Sequence, residues 1–266
     1  MSHSTPHYRF DPADPVAPTT EEWGALSEAE RAAVVGALPI IVEHDFMSEG
    51  DAHARITLEA AEMIRNHFGS RGGGPRRHYI GKSIMTWYPG ERGFAPDLFV
   101  VFDVDDHERD SWVASTEGRR LDIAFEVLVK GDRTKDPERN VSWYARLGIP
   151  EYFVLDGANR RVHGFRLTAS SPGGRYERIV PQLGRLWSEV LRLDIATEGR
   201  GFRFYTGEAR VPTSEEVGQR LVDLAMDEAR ERAAAELARA ELEAERSALV
   251  DRLAALEAQV ASLLSQ

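Results

Sequence analysis

The sequence predicts an α/β fold whose core runs helix, three strands, helix, strand, an αβββαβ order. Three observations carry this expectation. Strand-sized apolar runs occupy residues 96–101, 121–129 and 151–156, preceded by an extended run at 79–88. Apolar residues at helical spacing bracket them: Ile56, Ala60, Met63, Ile64 and Phe68 come before, and Val141, Tyr144 and Leu147 lie between the last two runs. Residues 214–266 have no proline and one glycine among Ala, Glu, Leu and Arg, the composition of one long helix. At 266 residues and 42% hydrophobic, the chain can build a core of moderate size with extensions.

The elements follow in order. Residues 1–19 are rich in Pro, Ser, His and Asp with little periodicity, and are expected to be a disordered tail. Residues 20–39 form an N-terminal helical segment. In it Ser27 and Glu30 make a capping box, and Val34, Val35 and Leu38 continue an amphipathic helix that Pro39 stops. A turn at Gly50-Asp51 opens the helix of Ile56. Residues 69–75 are glycine-rich but lack the Gly-Lys-Ser/Thr ending of a phosphate loop, so they read as a surface loop. The turn at 89–93 leads into the strand of Asp97. Asp103, Asp105 and Asp106 lack the glycine and closing Glu of a calcium loop, and read as a solvated acidic turn. The strand of Glu126, a polar turn at 132–135, a helix at 137–147 and the strand 151–156 complete the core. Beyond Asp156, paired runs at 161–168 and 176–180, then at 190–195 and 202–205, flank Gly-rich turns. They are expected to form an antiparallel hairpin flap against the core.

Composition narrows the function classes. The chain has no cysteine, which excludes disulfides and thiolate metal sites and fits a reducing cytoplasm. No apolar stretch approaches the roughly 20 residues of a membrane span, and no signal-peptide core opens the chain, so a cytoplasmic protein is expected. The net charge is -11. Residues 214–266 hold 12 acids and 6 Arg, a net -6, leaving -5 for the rest. Basic clusters persist at Arg71, Arg76 and Arg77, at Arg119 and Arg120, and at Lys130, Arg133, Lys135 and Arg139. A nucleic-acid surface is compatible with this distribution, although composition does not announce one.

Two acids carry the chemistry. Asp97 opens one apolar run and Glu126 sits inside another, Ile-Ala-Phe-Glu-Val-Leu at 123–128. Carboxylates on neighbouring buried strands are destabilising unless a cation lies between them. A divalent metal is the usual reason to keep such a pair, which points to metal-dependent phosphodiester hydrolysis. Asp122 shares the parity of Glu126 and reads as a strand-start cap, while Glu59 and Glu62 read as a solvated helix face. The eight histidines show no metal-binding spacing, and no Gly-x-Ser-x-Gly or cysteine supports a covalent nucleophile.

Four blocks in order are Pro96-Asp97, the run ending at Leu128, the block from Asp136 through Tyr144 to Asp156, and Leu-Trp-Ser-Glu-Val-Leu-Arg-Leu at 186–193. Over residues 40–210 they resemble the Uma-type restriction endonuclease family of the PD-(D/E)XK nuclease superfamily. The resemblance implies a restriction-endonuclease-like αβββαβ core and a DNA substrate. It also implies that Asp97 and Glu126, with the main-chain carbonyl of Val127, hold Mg²⁺ or Mn²⁺. The pattern departs at its lysine. The position two residues after Glu126 is Leu128, and the alternative position on the following helix is Asn140. Lys130 and Lys135 are the remaining candidates. Lys130 lies on the strand face of Glu126, and two pairs of residues along a strand are bridged in part by a side chain of about 6 Å. Two classes of function follow: a metal-dependent endonuclease, or a nuclease scaffold that has lost cutting and serves as a binding or assembly module.

In the C-terminal helix Leu242, Leu249, Leu256 and Leu263 recur every seven residues, with Leu253 and Val260 at the complementary positions. Arg239, Arg246 and Ala235 weaken the frame upstream. A coiled coil joining a homodimer is the expectation.

Overall fold

The computed structural model describes residue 8 and residues 11–40, 50–69, 77–129, 137–168, 174–199 and 201–264. The chain divides into two compact units, Met1–Thr213 and Ser214–Gln266. The first begins with two short helices, α1 (Thr20–Ala25) and α2 (Glu28–Ala37), each opened by a capping box, Thr19 with Glu22 and Ser27 with Glu30. The long helix α3 (Asp51–Gly69) follows. Then come β1 (His78–Gly81), β2 (Met85–Trp87), β3 (Leu98–Phe102), β4 (Ser111–Val113), the single turn α4 (Ala114–Glu117) and β5 (Ile123–Leu128). Helix α5 (Pro137–Leu147) leads to β6 (Glu151–Asp156), β7 (Arg161–Leu167) and β8 (Tyr176–Arg178). The unit closes with β9 (Leu186–Ser188), β10 (Leu193–Glu198), β11 (Gly201–Thr206) and β12 (Ala209–Arg210).

The central sheet has six strands in the order β1-β3-β5-β6-β7-β8. Only β5 and β6 run parallel, and α5 supplies the crossover that parallel neighbours require. Alternation along β5 sorts its side chains between two cores. Ile123, Phe125 and Val127 face a core completed by Ile56, Ala60, Met63 and Ile64 of α3 and by Leu193, Ile195 and Phe204 of the four-stranded sheet β12-β11-β10-β9. Ala124 faces the opposite core, which is aromatic: Phe99, Trp112, Tyr144, Tyr152, Phe165 and Tyr176.

Three expectations are corrected. The extended run at 79–88 is two strands, because the chain turns at Ser83 (φ +49°) and β2 pairs in parallel with β4 in a separate two-stranded sheet. Met85 and Trp87 thereby join a third cluster with Val113 and Leu38. Residues 11–19 are not a loose tail. Val16 bridges to Arg92, the Ala17 N–H donates to Glu91 O at 3.0 Å, and Ala17 is 4% exposed. The first hairpin is no flap either: β7 pairs with β6 along its whole length and extends the central sheet. Gly164 of β7 lies opposite Phe153, where a Cβ would stand 2.7 Å from the ring, so only glycine lets the two strands close.

Burial pushes the phenols of Tyr88, Tyr144, Tyr152 and Tyr176 up from their ordinary value, and nearby carboxylates add to the effect at Tyr144, Tyr152 and Tyr176. A raised folded-state pKa means that the stability carried by the protonated phenol is intact below the unfolded value, about 10. It is lost as pH rises above that value. We expect urea midpoints insensitive to these groups at about pH 8 and falling steeply near about pH 11. Their tyrosinate absorbance should appear together with unfolding; its appearance in a still-folded protein would contradict this.

The second unit is α6 (Ser214–Leu264), 51 residues and about 75 Å long at the α-helical rise. Ion pairs one turn apart, such as Glu228–Arg232 at 3.2 Å and Arg239–Glu243 at 3.1 Å, line its surface.

Candidate functional site

The antiparallel register of β3 on β5 is Leu98↔Phe125, Phe99↔Ala124 and Val100↔Ile123. Continued by one residue, it sets Asp97 opposite Glu126. Glu126 points to the aromatic core, where Tyr144 of α5 meets it, while Asp97, one residue before β3, is met by His53 of α3. Both acids are buried, Asp97 at 6% exposure and Glu126 at 4%. Pro96 restricts the backbone leading into the strand. Ile123, Phe125 and Val127 anchor β5 from the other face and so aim Glu126 toward α5.

Each carboxylate is held by specific donors. The Tyr144 hydroxyl, from the buried face of α5, donates to Glu126 Oε1 at 2.7 Å. Asp97 Oδ2 accepts the Val127 N–H at 2.6 Å and lies 3.0 Å from His53 Nε2 on α3. Tyr152 of β6 is close enough for both acids to raise its phenol pKa, and its hydroxyl shares a hydrogen bond with Asn140. The neutral Asn140, which occupies the alternative lysine position, is thus brought beside the site through Tyr152.

The other sequence candidates separate clearly. Lys130 and Lys135 lie outside the described residues, as do Asp136, Arg71, Arg76 and Arg133. Of the three lysines in the chain, Lys82 is the one described. It is exposed in the turn after β1, next to Ser83, whose N–H approaches the carbonyls of Pro96 and Asp97 at 3.2 and 3.3 Å. Asp122 accepts the Phe102 N–H at 2.7 Å, the strand-start role read from its position. Glu59 pairs with Arg55 on the outer side of α3 at 3.1 Å. Asp105 pairs with Arg77 at 2.7 Å between exposed side chains, as a solvated acidic turn allows.

Among the described residues, no group of three or more His, Asp or Glu is placed to hold a metal ion. Asp97 and Glu126 are the two buried carboxylates here that could hold one. That donor set suits Mg²⁺, which binds through one or two carboxylates and retains several waters. A cation would also offset two carboxylates buried on neighbouring strands, because burial disfavours their ionised forms.

Sequence reasoning missed His53 and Tyr144. Tyr144 stood in a stripe read as a packing face, and His53 lay one turn ahead of the stripe that began at Ile56. The available signal was a polar group on an apolar stripe: His53 one turn before Ile56, and the Tyr144 hydroxyl between Val141 and Leu147. No helix among the described residues is long and apolar enough to cross a membrane.

Among solved structures, the chain is similar to a crystal structure of a putative nuclease belonging to DUF820 from Anabaena variabilis ATCC 29413. Identity is 14%, the TM-score is 0.43, and the match covers 60% of this chain and 89% of that one. No curated protein matches the chain. The family model described as "Uma2: Putative restriction endonuclease" matches residues 43–226, more than half of the chain. The chain therefore belongs to the Uma2 family of putative restriction endonucleases.

Proposed function

We propose that this protein is a Mg²⁺-dependent endonuclease, also served by Mn²⁺, that hydrolyses DNA phosphodiester bonds at Asp97 and Glu126. The observation that carries the reading is the pair of buried acids on neighbouring core strands, Glu126 within β5 and Asp97 just before β3. The core order α3, β1, β3, β5, α5, β6 supports the restriction-endonuclease-like αβββαβ assignment, and family membership supports the substrate class. Asp97, Glu126 and the Val127 carbonyl would hold the cation. When bound, it supplies positive charge against the attacked phosphate and acidifies the attacking water. Tyr144, kept protonated by burial beside Glu126, holds that carboxylate in place.

Supercoiled plasmid and single-stranded DNA and RNA, incubated with Mg²⁺, Mn²⁺ or a chelator, test the proposal. We expect cutting of DNA only with the cation. The cationic partner of the scissile phosphate is sought by Lys82→Ala, Lys130→Ala and Lys135→Ala. The lysine that matters should lower cutting by about 10²-fold, and three unimpaired variants would remove lysine from the mechanism.

A second reading has its own observations. Leu128 and Asn140 leave both lysine positions neutral, and an Asn beside Tyr152 brings no charge to the site. A scaffold without cutting activity would act as a binding or assembly module, and wild-type protein that cuts no tested substrate would favour it.

The long helix supports a homodimer under either reading. Leu242, Leu249, Leu253, Leu256 and Val260 are each more than half exposed on α6 in the single chain, and burying each side chain contributes about 1.5–3 kcal/mol. We expect sedimentation to give a dimer for the full chain and a monomer for a chain ending near Thr213. A monomeric full-length protein at micromolar concentration would end the dimer proposal.

A further inference from the structure

We infer that His53 is a positioning residue that locks the orientation of Asp97 for cation binding. The inference rests on the two-carboxylate reading above. His53 is 3% exposed on α3, among Ile56 and Ala60, on a face where a leucine would pack without a desolvation penalty. Its backbone is fixed on both sides: the N–H donates to Gly50 O at 2.9 Å, and the carbonyl accepts the Thr57 hydroxyl at 3.0 Å. Burial leaves the ring little freedom, and Nε2 is set 3.0 Å from Asp97 Oδ2. A carboxylate is an acceptor, so Nε2 carries the hydrogen of this contact.

The geometry explains why two donors are used. The Val127 N–H reaches the same oxygen, Oδ2, at 2.6 Å from β5. One donor fixes the position of an oxygen but lets the carboxylate swing about it. A second donor, arriving from a different element, fixes the carboxylate plane. Ligating carboxylates at metal sites are commonly held this way, and loss of such a partner weakens metal binding about 10–100-fold. His53 acts through Asp97, which its Nε2 faces.

The test uses the full chain and Mn²⁺ as probe, followed by the electron paramagnetic signal of free Mn²⁺. His53→Leu fills the space without a donor. His53→Gln places an amide donor near the reach of Nε2. We expect the Leu variant to bind Mn²⁺ about 10-fold or more weaker, with circular dichroism unchanged and cutting restored by raising Mn²⁺. The Gln variant should recover most of the affinity. Should the Leu variant not fold, His53→Asn, whose amide stops short of Asp97, takes its place: Asn weak with Gln tight supports the inference, and equal affinities overturn it. Wild-type Mn²⁺ binding that Glu126→Gln abolishes and His53→Leu leaves unchanged overturns the role of His53 alone. Wild-type protein that binds no Mn²⁺ overturns the two-carboxylate reading and this inference together.

Discussion

Asp97→Asn and Glu126→Gln are each expected to lower cation-dependent DNA cutting by about two orders of magnitude or more, because each removes one of the two charged ligands proposed for the cation. The same variants should leave the fold intact. Gln at 126 still accepts the Tyr144 hydroxyl, and Asn at 97 still accepts one of the two donors on Oδ2. Without a cation Glu126→Gln should stay close to wild-type stability, while Asp97→Asn, which leaves one buried donor without its acceptor, should lose about 1–3 kcal/mol. Adding Mg²⁺ should raise the melting temperature of the wild type and not of the variants, because a ligand stabilises only the state that binds it. Thermal scans with and without Mg²⁺, run beside plasmid cutting, read both effects. Undiminished cutting by both variants would sink the assignment of these acids.

The second large effect is structural and lies at Glu151, the first residue of β6. This carboxylate is 1% exposed and is fully engaged. Oε1 accepts Arg166 Nε and the Glu189 N–H, both at 2.9 Å, while Oε2 accepts the Ser188 hydroxyl at 2.5 Å and the Val190 N–H at 3.4 Å. It thus ties the central sheet to the segment following β9. Glu151→Ala leaves the buried Ser188 hydroxyl and two main-chain N–H groups without their acceptor, which costs about 3–5 kcal/mol. That is a fall of about 10 °C in melting temperature for a unit of this size. The neighbouring Glu189 also pairs with Arg166, at 2.9 Å, but its side chain is 63% exposed. Its replacement by Ala should change stability by less than about 1 kcal/mol. Denaturant unfolding of the two variants decides the matter, and equal losses would show that Glu151 is an ordinary surface-type ion pair.

The burial of Glu151 could not be recognised from the chain alone, while that of Asp97 and Glu126 could. The difference lies in what surrounds each residue locally. Glu126 sits between Phe125 and Val127 in a run of six strand residues, so its burial is readable from its immediate neighbours. Glu151 opens a strand after Pro150, where an exposed acid is equally ordinary, and its partners come from residues 166 and 188–190.

Local periodicity determined the helices. The run over 137–147 is α5 (Pro137–Leu147), and the proline-free stretch from 214 is α6 (Ser214–Leu264). Helical hydrogen bonds close within one turn, so side-chain spacing and caps carry the information. The strands β3, β5 and β6 were legible for a related reason: continuous apolar runs identify strands buried on both faces. Which strands pair was not legible, because a ladder joins residues remote in sequence. Hence β2 left the central sheet for β4, β7 entered it beside β6, and residues 11–19 found partners at Gly90, Glu91 and Arg92. The site divides the same way. The burial of Asp97 and Glu126 was legible from their placement in apolar runs. Only the tertiary structure decided the donors that hold them, His53 from α3, Tyr144 from α5 and the N–H of Val127 from β5. A hydrogen-bond partner is selected by proximity in space, and spacing along the chain carries no record of it.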